Sequence, residues 1–221
     1  MTLASSITQE LSSQIAKEGR RLHFYRKSEE IPIIPQGIWQ VYQGMVQVST
    51  LCTNGEEVIL GWVGDSNYFG QSWFPSFNLN QQLASPKLNL YISYRGLSDV
   101  YLKWYNISEI ETNPTLAPAI LPQLGKRLQQ TEKLLAMGGH KRVEDRLYQL
   151  LLLLKQEMGQ TISQGTRLSY RLTHQHLANT IGTTRVTVTR LLGKLQKQGC
   201  IEIDARRHII LKDDSFDSKH F

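Results

Sequence analysis

The sequence predicts an α+β fold with three parts: a strand-rich domain over residues 1–112, a helix and hinge over residues 113–139, and a helical domain over residues 140–221. Between residues 22 and 104, short runs rich in Val, Ile, Tyr and Trp alternate with Gly, Pro and Asn, and beyond them apolar residues recur at helical spacing. Residues 140–221 hold 14 basic and 8 acidic side chains, the whole net charge of +6, whereas residues 1–139 hold 11 of each. This local excess favours contact with phosphate groups, and the alternative is a basic segment that only aids solubility.

The strand-rich part is typical of a barrel, sandwich or roll, because many short strands follow one another with regular turns. Gly44 and the Asn54-Gly55 pair mark two of those turns. The predicted strands cover residues 38–42, 45–48, 58–63, 91–94 and 99–102. We also expect an amphipathic helix within residues 1–20 and a surface loop over residues 75–86.

Composition excludes several classes of protein. The two cysteines, Cys52 and Cys200, cannot form a disulfide framework or a four-thiolate zinc or iron–sulfur site. The longest apolar run, residues 150–154, is far too short to span a membrane, and the polar N-terminus lacks a signal-peptide core. We therefore expect a cytoplasmic protein without a membrane partner. No nucleophile–base set, phosphate loop or carboxylate pair suggests an enzyme, and the spacing of His174 and His176 does not suggest a metal site.

A helix with a coiled-coil-like seam is predicted before residue 138. Asn113-Pro114 resembles a helix start, but Pro118 and Pro122 should prevent one long straight helix, so the firm prediction covers residues 122–137. Its apolar seam has spacings of three and four and is formed by Leu121, Leu124, Leu128, Thr131 and Leu135. The seam either packs within its own domain or contacts a second copy of the chain.

Residues 138–139 are both Gly, which should end this helix and form a hinge, and a second helix is predicted over residues 140–158.

Residues 172–195 have the pattern of a helix-turn-helix. Thr173 is a candidate N-cap, and Gly182 supplies a permissive backbone at the turn. Thr183 or Thr184 can cap the second helix. The buried side of the first helix should be formed by Leu177, Ala178 and Ile181.

The second helix separates into two faces at about 100° per residue. One arc of about 140° holds Arg185, Val186, Thr189 and Arg190. The opposite side holds Val188, Leu191, Leu192 and Leu195. Arg can bind guanine through two hydrogen bonds, and Val and Thr methyl groups can contact a thymine methyl group, so the exposed arc predicts base recognition in the major groove. The alternative is an ordinary amphipathic helix with a solvated basic face.

A strand–turn–strand pattern follows, over residues 201–203, 204–207 and 208–211. It predicts a wing whose Arg206 and Arg207 lie near the DNA backbone. Thr173, His174, Thr183 and Thr184 are further candidates for phosphate contacts. Residues 160–212 hold nine basic and two acidic side chains, so the charge excess coincides with this predicted DNA-binding domain.

The order of β-roll, long helix, hinge and winged helix-turn-helix resembles the Crp/Fnr superfamily of bacterial transcription regulators. The most specific stretch, residues 182–193, resembles the recognition helix of the cyanobacterial nitrogen-control (NtcA-like) branch. The roll is similar at Val41-Tyr42, Gly44, residues 54–57 and residues 68–70. The resemblance implies a jelly-roll type, cyclic-nucleotide-binding-like N-terminal domain and a long dimerisation helix that carries the seam. It also implies a homodimer on a palindromic DNA site, with RNA polymerase as a further partner.

The resemblance also implies an effector site in the roll. Members that bind cAMP follow Phe-Gly with Glu and carry an Arg-Ser or Arg-Thr pair, which residues 71–104 lack, so cAMP is not expected. A haem ligand set and an iron–sulfur cluster are not expected either. The nitrogen-control branch binds 2-oxoglutarate, the best candidate here. The corresponding residues are Phe69, Gly70, Gln71, Ser72, Lys87, Arg127 and Glu132.

The sequence leaves alternatives for both the effector site and the function. Lys87 stands where that branch has Arg, and Arg127 and Glu132 can also be a solvated flank of the helix. The alternative to an effector site is therefore a roll that binds no effector. The predicted function is a sequence-specific, dimeric, DNA-binding transcription regulator. The alternative is a small-molecule sensor or adaptor that acts mainly through protein partners.

Overall fold

The structure is a computed structural model that describes residues 22–34, 37–70, 92–212 and Phe216. The predicted N-terminal helix and the predicted loop over residues 75–86 lie outside these residues. The chain groups into two compact units. The first contains residues 1–52 and 61–129, and the second contains residues 53–60 and 130–221.

The first unit is built on two antiparallel β-sheets. Its strands are β1 (His23–Tyr25), β2 (Gly37–Gln43), β3 (Val46–Leu51), β4 (Glu57–Val63), β5 (Tyr68–Phe69), β6 (Ile92–Gly96) and β7 (Val100–Asn106), although residues 57–60 of β4 group with the second unit. One sheet has the strand order β1-β7-β2-β5 and the other has the order β4-β3-β6. The strands predicted within the described residues are present, and the turn residues Gly44 and Asn54-Gly55 lie between β2 and β3 and between β3 and β4.

The interior of the roll is apolar and aromatic. In the longest pairing, β2 runs against β7 from Gly37 opposite Asn106 to Gln43 opposite Tyr101, with a register shift after Val41. Alternate residues of the strands point inward, which buries Trp39, Val41, Val46, Val48, Phe69, Val100 and Leu102. The two sheets therefore enclose a core rather than exposing one apolar face each.

Two helices follow the roll: α1 (Ile107–Thr112) and α2 (Leu116–Gly138). The firm prediction covers residues 122–137, whereas α2 begins six residues earlier and continues through Pro122. Pro118 lies in the first turn, where the backbone N–H has no intrahelical partner and its loss costs little. Asn113 does not cap α2 directly. Its side chain accepts hydrogen bonds from Thr115 N and Oγ1 at 3.0 and 2.7 Å, directly before α2 begins at Leu116.

The second unit combines three helices with a four-stranded sheet. Its elements are α3 (Val143–Met158), β8 (Gly159–Ile162), β9 (Gly165–Leu168), α4 (His174–Ile181), α5 (Arg185–Lys197), β10 (Ile201–Ile203) and β11 (Ile209–Leu211). The strand order is β10-β11-β9-β8. Its core is formed mainly by leucines of α3, α4 and α5, and Phe216 stacks on Tyr148 with ring centroids 4.7 Å apart.

Within the residues that the structure covers, no helix has the length and apolarity that a membrane crossing requires.

Candidate nucleic-acid interface

The helix-turn-helix is defined by three local hydrogen-bonding motifs. Thr173 Oγ1 accepts a hydrogen bond from His176 N at 3.1 Å and caps α4. Gly182 ends α4 in the left-handed region at φ 62°, a conformation that glycine adopts without steric cost. Of the two candidate threonines it is Thr184 that caps α5, because its Oγ1 accepts from Thr187 N at 3.2 Å, whereas Thr183 N donates to Ala178 O. These motifs set the angle between α4 and α5.

The two faces of α5 are as the helical period predicts. Its buried side consists of Val188, Leu191, Leu192 and Leu195. Its exposed side carries Arg185, Val186, Thr189 and Arg190. Val186 is 78% exposed, so its side chain adds little to the core of the protomer. Contact with an apolar group of a partner would remove this side chain from water, which is favourable. The exposed arc thus combines two guanidinium groups with two methyl-bearing side chains. These groups match the acceptors of guanine and the methyl group of thymine in the major groove.

His174, at the start of α4, reaches across to α5. Its Nδ1 lies 2.7 Å from Thr189 Oγ1, and the Thr189 hydroxyl donates to the carbonyl oxygen of Arg185 at 2.9 Å. Burial lowers the pKa of His174, and the positive charge of Arg185 lowers it further. His174 therefore favours the neutral form in the free protein. The sequence placed His174 among phosphate contacts but gave no signal of this link between the two helices.

The wing is the hairpin of β10 and β11, and its turn is organised by Asp204. That carboxylate accepts hydrogen bonds from His208 N at 2.8 Å and from Arg167 Nε at 2.9 Å. The backbone hydrogen bond from His208 is the main reason that the pKa of Asp204 is lowered, with contributions from the His208 and Arg167 side chains. Arg206 and Arg207 are exposed at the turn, and Arg207 has φ 64°, a strained value for a residue other than glycine. The turn of the wing is thus held by hydrogen bonds within the protomer.

The basic side chains of this region fall into two groups. Three are held in ion pairs: Arg167 with Asp204, Lys194 with Glu144 at 2.7 Å, and Lys212 with Glu202 at 2.7 Å. The exposed group consists of Arg171, Arg185, Arg190, Lys197, Arg206 and Arg207. The exposed group supplies the positive surface of the helix-turn-helix and its wing.

The candidate effector residues are only partly covered by the structure, since Gln71, Ser72 and Lys87 lie outside the described residues. Phe69 is buried, with its ring centroid 4.9 Å from that of Tyr94. Burial raises the pKa of Tyr94 to about 12, although the nearby positive charge of Arg127 opposes the shift. Arg127 is therefore close enough to Tyr94 to act on it electrostatically. Tyr94 was not among the residues suggested by the sequence, while Glu132 is exposed on α2.

The predicted seam of α2 divides into two kinds of position. Leu121, Leu128 and Leu135 are 69%, 60% and 79% exposed and follow one another at intervals of seven residues. Thr131 is also exposed. Leu124 is half-buried and packs on a cluster formed with Ile38, Tyr68 and Ile120 of its own unit. The exposed leucines thus fit contact with a second copy of the chain, whereas Leu124 packs within its own unit.

Comparison with known proteins agrees with this arrangement. The family model of the Crp-like helix-turn-helix domain matches residues 145–214. A global nitrogen regulator of Synechococcus elongatus is 30% identical over 172 residues, covering 77% of this chain and 75% of the relative. A global nitrogen regulator of Nostoc sp. is 28% identical over 179 residues, covering 79% of this chain and 77% of the relative.

The solved structure of FixK2 from Bradyrhizobium japonicum has a similar fold, with a TM-score of 0.70, 19% sequence identity, and coverage of 91% of this chain and 98% of that one. Together with the capped, two-faced α5 and its wing, the family model and the two nitrogen-regulator relatives identify the function as DNA-binding transcription regulation. The chain belongs to the Crp/Fnr family of transcription regulators.

Proposed function

We propose that the protein binds a palindromic DNA site as a homodimer, with α5 of each protomer in the major groove. The observation that carries this proposal is the exposed face of α5, where Arg185 and Arg190 project beside Val186 and Thr189. Each arginine can donate two hydrogen bonds to guanine O6 and N7. Val186 can contact a thymine methyl group, which accounts for a valine on an exposed surface.

Contacts with the DNA backbone are proposed for the residues around this face. The caps Thr173 and Thr184, with Thr183, lie at the N-terminal ends of α4 and α5, where hydroxyl and backbone N–H groups can hold phosphate. His174 Nδ1 is engaged with Thr189, so its Nε2 can donate to a phosphate only when the imidazole is protonated, a form that a neighbouring phosphate would favour. Arg206 and Arg207 of the wing would neutralise a further stretch of backbone.

The proposed dimer contact is the exposed stripe of Leu121, Leu128 and Leu135, with Thr131 and part of Leu124. Its seven-residue repeat matches the spacing at which two parallel helices bury apolar side chains against each other. We accordingly assign residues 1–112 to effector sensing, 113–139 to dimerisation and 140–221 to DNA binding. RNA polymerase is the proposed protein partner of the DNA-bound dimer, which places its action in the cytoplasm.

Selection from a random duplex pool tests the DNA target. We expect enrichment of an inverted repeat whose half-site centres lie about one helical turn, roughly 34 Å, apart. Affinity for the selected duplex should fall about 10³- to 10⁵-fold between roughly 50 and 200 mM salt if 6–10 phosphates are contacted. A shuffled duplex of the same composition is the control. Enrichment of a single, unrepeated half-site would contradict the dimer, and no enrichment would contradict the function.

We further propose that 2-oxoglutarate is an effector bound in the roll. Support comes from the cation Arg127 near the buried pair of Phe69 and Tyr94, because a dicarboxylate requires a fixed cationic partner. Gly70, Gln71, Ser72, Lys87 and Glu132 are the other candidate contacts.

Calorimetry with 2-oxoglutarate and with cAMP tests the effector. We expect heat and a changed affinity for DNA with 2-oxoglutarate, and neither effect with cAMP. The variant Arg127→Gln should lose the heat while it still binds the selected duplex. Absence of heat from the wild-type protein with 2-oxoglutarate would contradict the effector site and leave DNA binding intact.

A further inference from the structure

The hydroxyl group of Thr189 is engaged within the protein although its side chain is exposed. It donates its one proton to the carbonyl oxygen of Arg185 at 2.9 Å. The same oxygen lies 2.7 Å from His174 Nδ1. Because the hydroxyl proton is committed to Arg185, the hydrogen of the second bond belongs to His174, and its Nδ1–H donates to Thr189 Oγ1. The hydroxyl is thus fixed from both sides.

This hydrogen bonding limits what Thr189 can offer to DNA. Guanine O6 and N7, adenine N7 and thymine O4 are all acceptors in the major groove, so a hydroxyl needs its proton to bind any of them. The proton of Thr189 is already used. The oxygen keeps one lone pair, but the hydroxyl is held between α4 and α5, so the group left for the exposed face of α5 is the methyl group. Thymine alone among the four bases carries a methyl group in the major groove.

His174 determines which group of Thr189 is presented. In a helix, a threonine side chain divides between two rotamers, because its hydroxyl can bond to a carbonyl one turn earlier. The bond from His174 favours the rotamer in which the hydroxyl lies between α4 and α5. His174 is itself the first residue of α4, directly after the cap Thr173, so its position is set by the start of that helix.

We propose that Thr189 recognises thymine through its methyl group and that His174 is the positioning residue that holds it in that orientation. The inference rests on the proposed insertion of α5 into the major groove. It assigns to Thr189 an apolar contact with one particular base, in place of a general supporting role, and it assigns to His174 an influence on specificity that a phosphate contact would not have.

The test uses the duplex selected from the random pool, prepared with thymine or with deoxyuridine, which lacks only the C5 methyl group. Wild-type protein should bind the thymine duplex about four-fold more tightly for each half-site contact, the gain expected from burying one methyl-sized group. Thr189→Val keeps the methyl groups and should keep this preference. Thr189→Ser keeps the hydroxyl and should lose the four-fold share of the preference that Thr189 contributes, leaving the share of Val186.

His174 is tested by the same ratio. His174→Ala should reduce the preference for thymine over deoxyuridine, because Thr189 is then free to rotate. His174→Asn, whose amide N–H can occupy the place of Nδ1–H, should restore it. A merely structural role for His174 would lower the affinity for both duplexes equally. Thermal unfolding of each variant confirms that it is folded at the temperature of the binding measurement.

The outcomes separate this inference from the proposed function. Failure of the selection to enrich any sequence would overturn both. If a site is enriched but wild-type protein binds the two duplexes equally, the thymine contact is wrong and the DNA-binding function stands. Retention of the full preference in Thr189→Ser would show that the methyl group of Thr189 does not contact the base.

Discussion

Replacement of Arg185 by Ala lowers the affinity for the selected duplex by roughly 5- to 150-fold, corresponding to about 1–3 kcal/mol for a lost pair of hydrogen bonds to guanine. The side chain is exposed on the first turn of α5 and makes no contribution to the buried side of that helix. Stability of the protein should therefore change little. Titration of selected and shuffled duplexes by fluorescence anisotropy gives both affinities.

Arg185→Lys is the matched control for this prediction. It keeps the positive charge but loses the planar fork that binds two acceptors at once, so it should retain affinity for the shuffled duplex and still lose preference for the selected one. In Arg185→Ala, removal of the nearby positive charge should also raise the pKa of His174, which NMR titration can follow. Unchanged discrimination between the duplexes in Arg185→Ala would show that Arg185 does not contact a base.

Replacement of Leu128 by Glu should convert the protein to a monomer at concentrations where the wild type is dimeric. Leu128 is 60% exposed in the protomer and lies in the middle of the leucine stripe. Two copies of it would be buried in the dimer, and loss of about 1.5 kcal/mol for each raises the dissociation constant roughly 100-fold, before the cost of two buried charges is added. Sedimentation velocity over a range of concentrations measures the change.

Two further variants make the interpretation of Leu128→Glu specific. Gln129→Glu adds the same charge at an exposed neighbour outside the stripe and should leave the dimer unchanged. Leu124→Glu alters the residue that packs on Ile38, Tyr68 and Ile120, so it should lower the melting temperature of the protomer itself. A Leu128→Glu protein that remains dimeric at low concentration would place the contact between protomers elsewhere.

The DNA-binding helices could be predicted in detail because their structure is determined locally. The caps at Thr173 and Thr184 and the left-handed Gly182 depend on residues at most four positions away, and the helical period alone separates the two faces of α5. For α2 the firm prediction starts at residue 122 because proline disfavours a helix interior, whereas the helix begins at Leu116 and continues through Pro122. Pro122 has no backbone N–H, so α2 lacks one hydrogen bond there. The packing of the start of α2 on the roll offsets this loss.

Contacts between distant elements could not be predicted in this way. The bond between His174 and Thr189 spans 15 residues and that between Arg167 and Asp204 spans 37, and neither pair has a distinguishing pattern in the sequence. The hairpin of β8 and β9 was also missed, because its residues are mostly polar and lack clear alternation. The sequence marks this hairpin only by a glycine at its turn, Gly165. The structure shows why a glycine is needed there: φ is 130°, and a Cβ atom would collide with the carbonyl oxygen of Leu211.

The bond from Arg167 to Asp204 bears on how the DNA-binding domain can be moved between proteins. Arg167 belongs to β9, which precedes both helices of the helix-turn-helix, whereas Asp204 shapes the turn of the wing that follows them. A graft that starts at the cap Thr173 would carry the wing without the guanidinium that holds its turn. The smallest transplantable unit consequently begins no later than β9, and chimaeric regulators joined downstream of that strand would recognise DNA with a loosened wing.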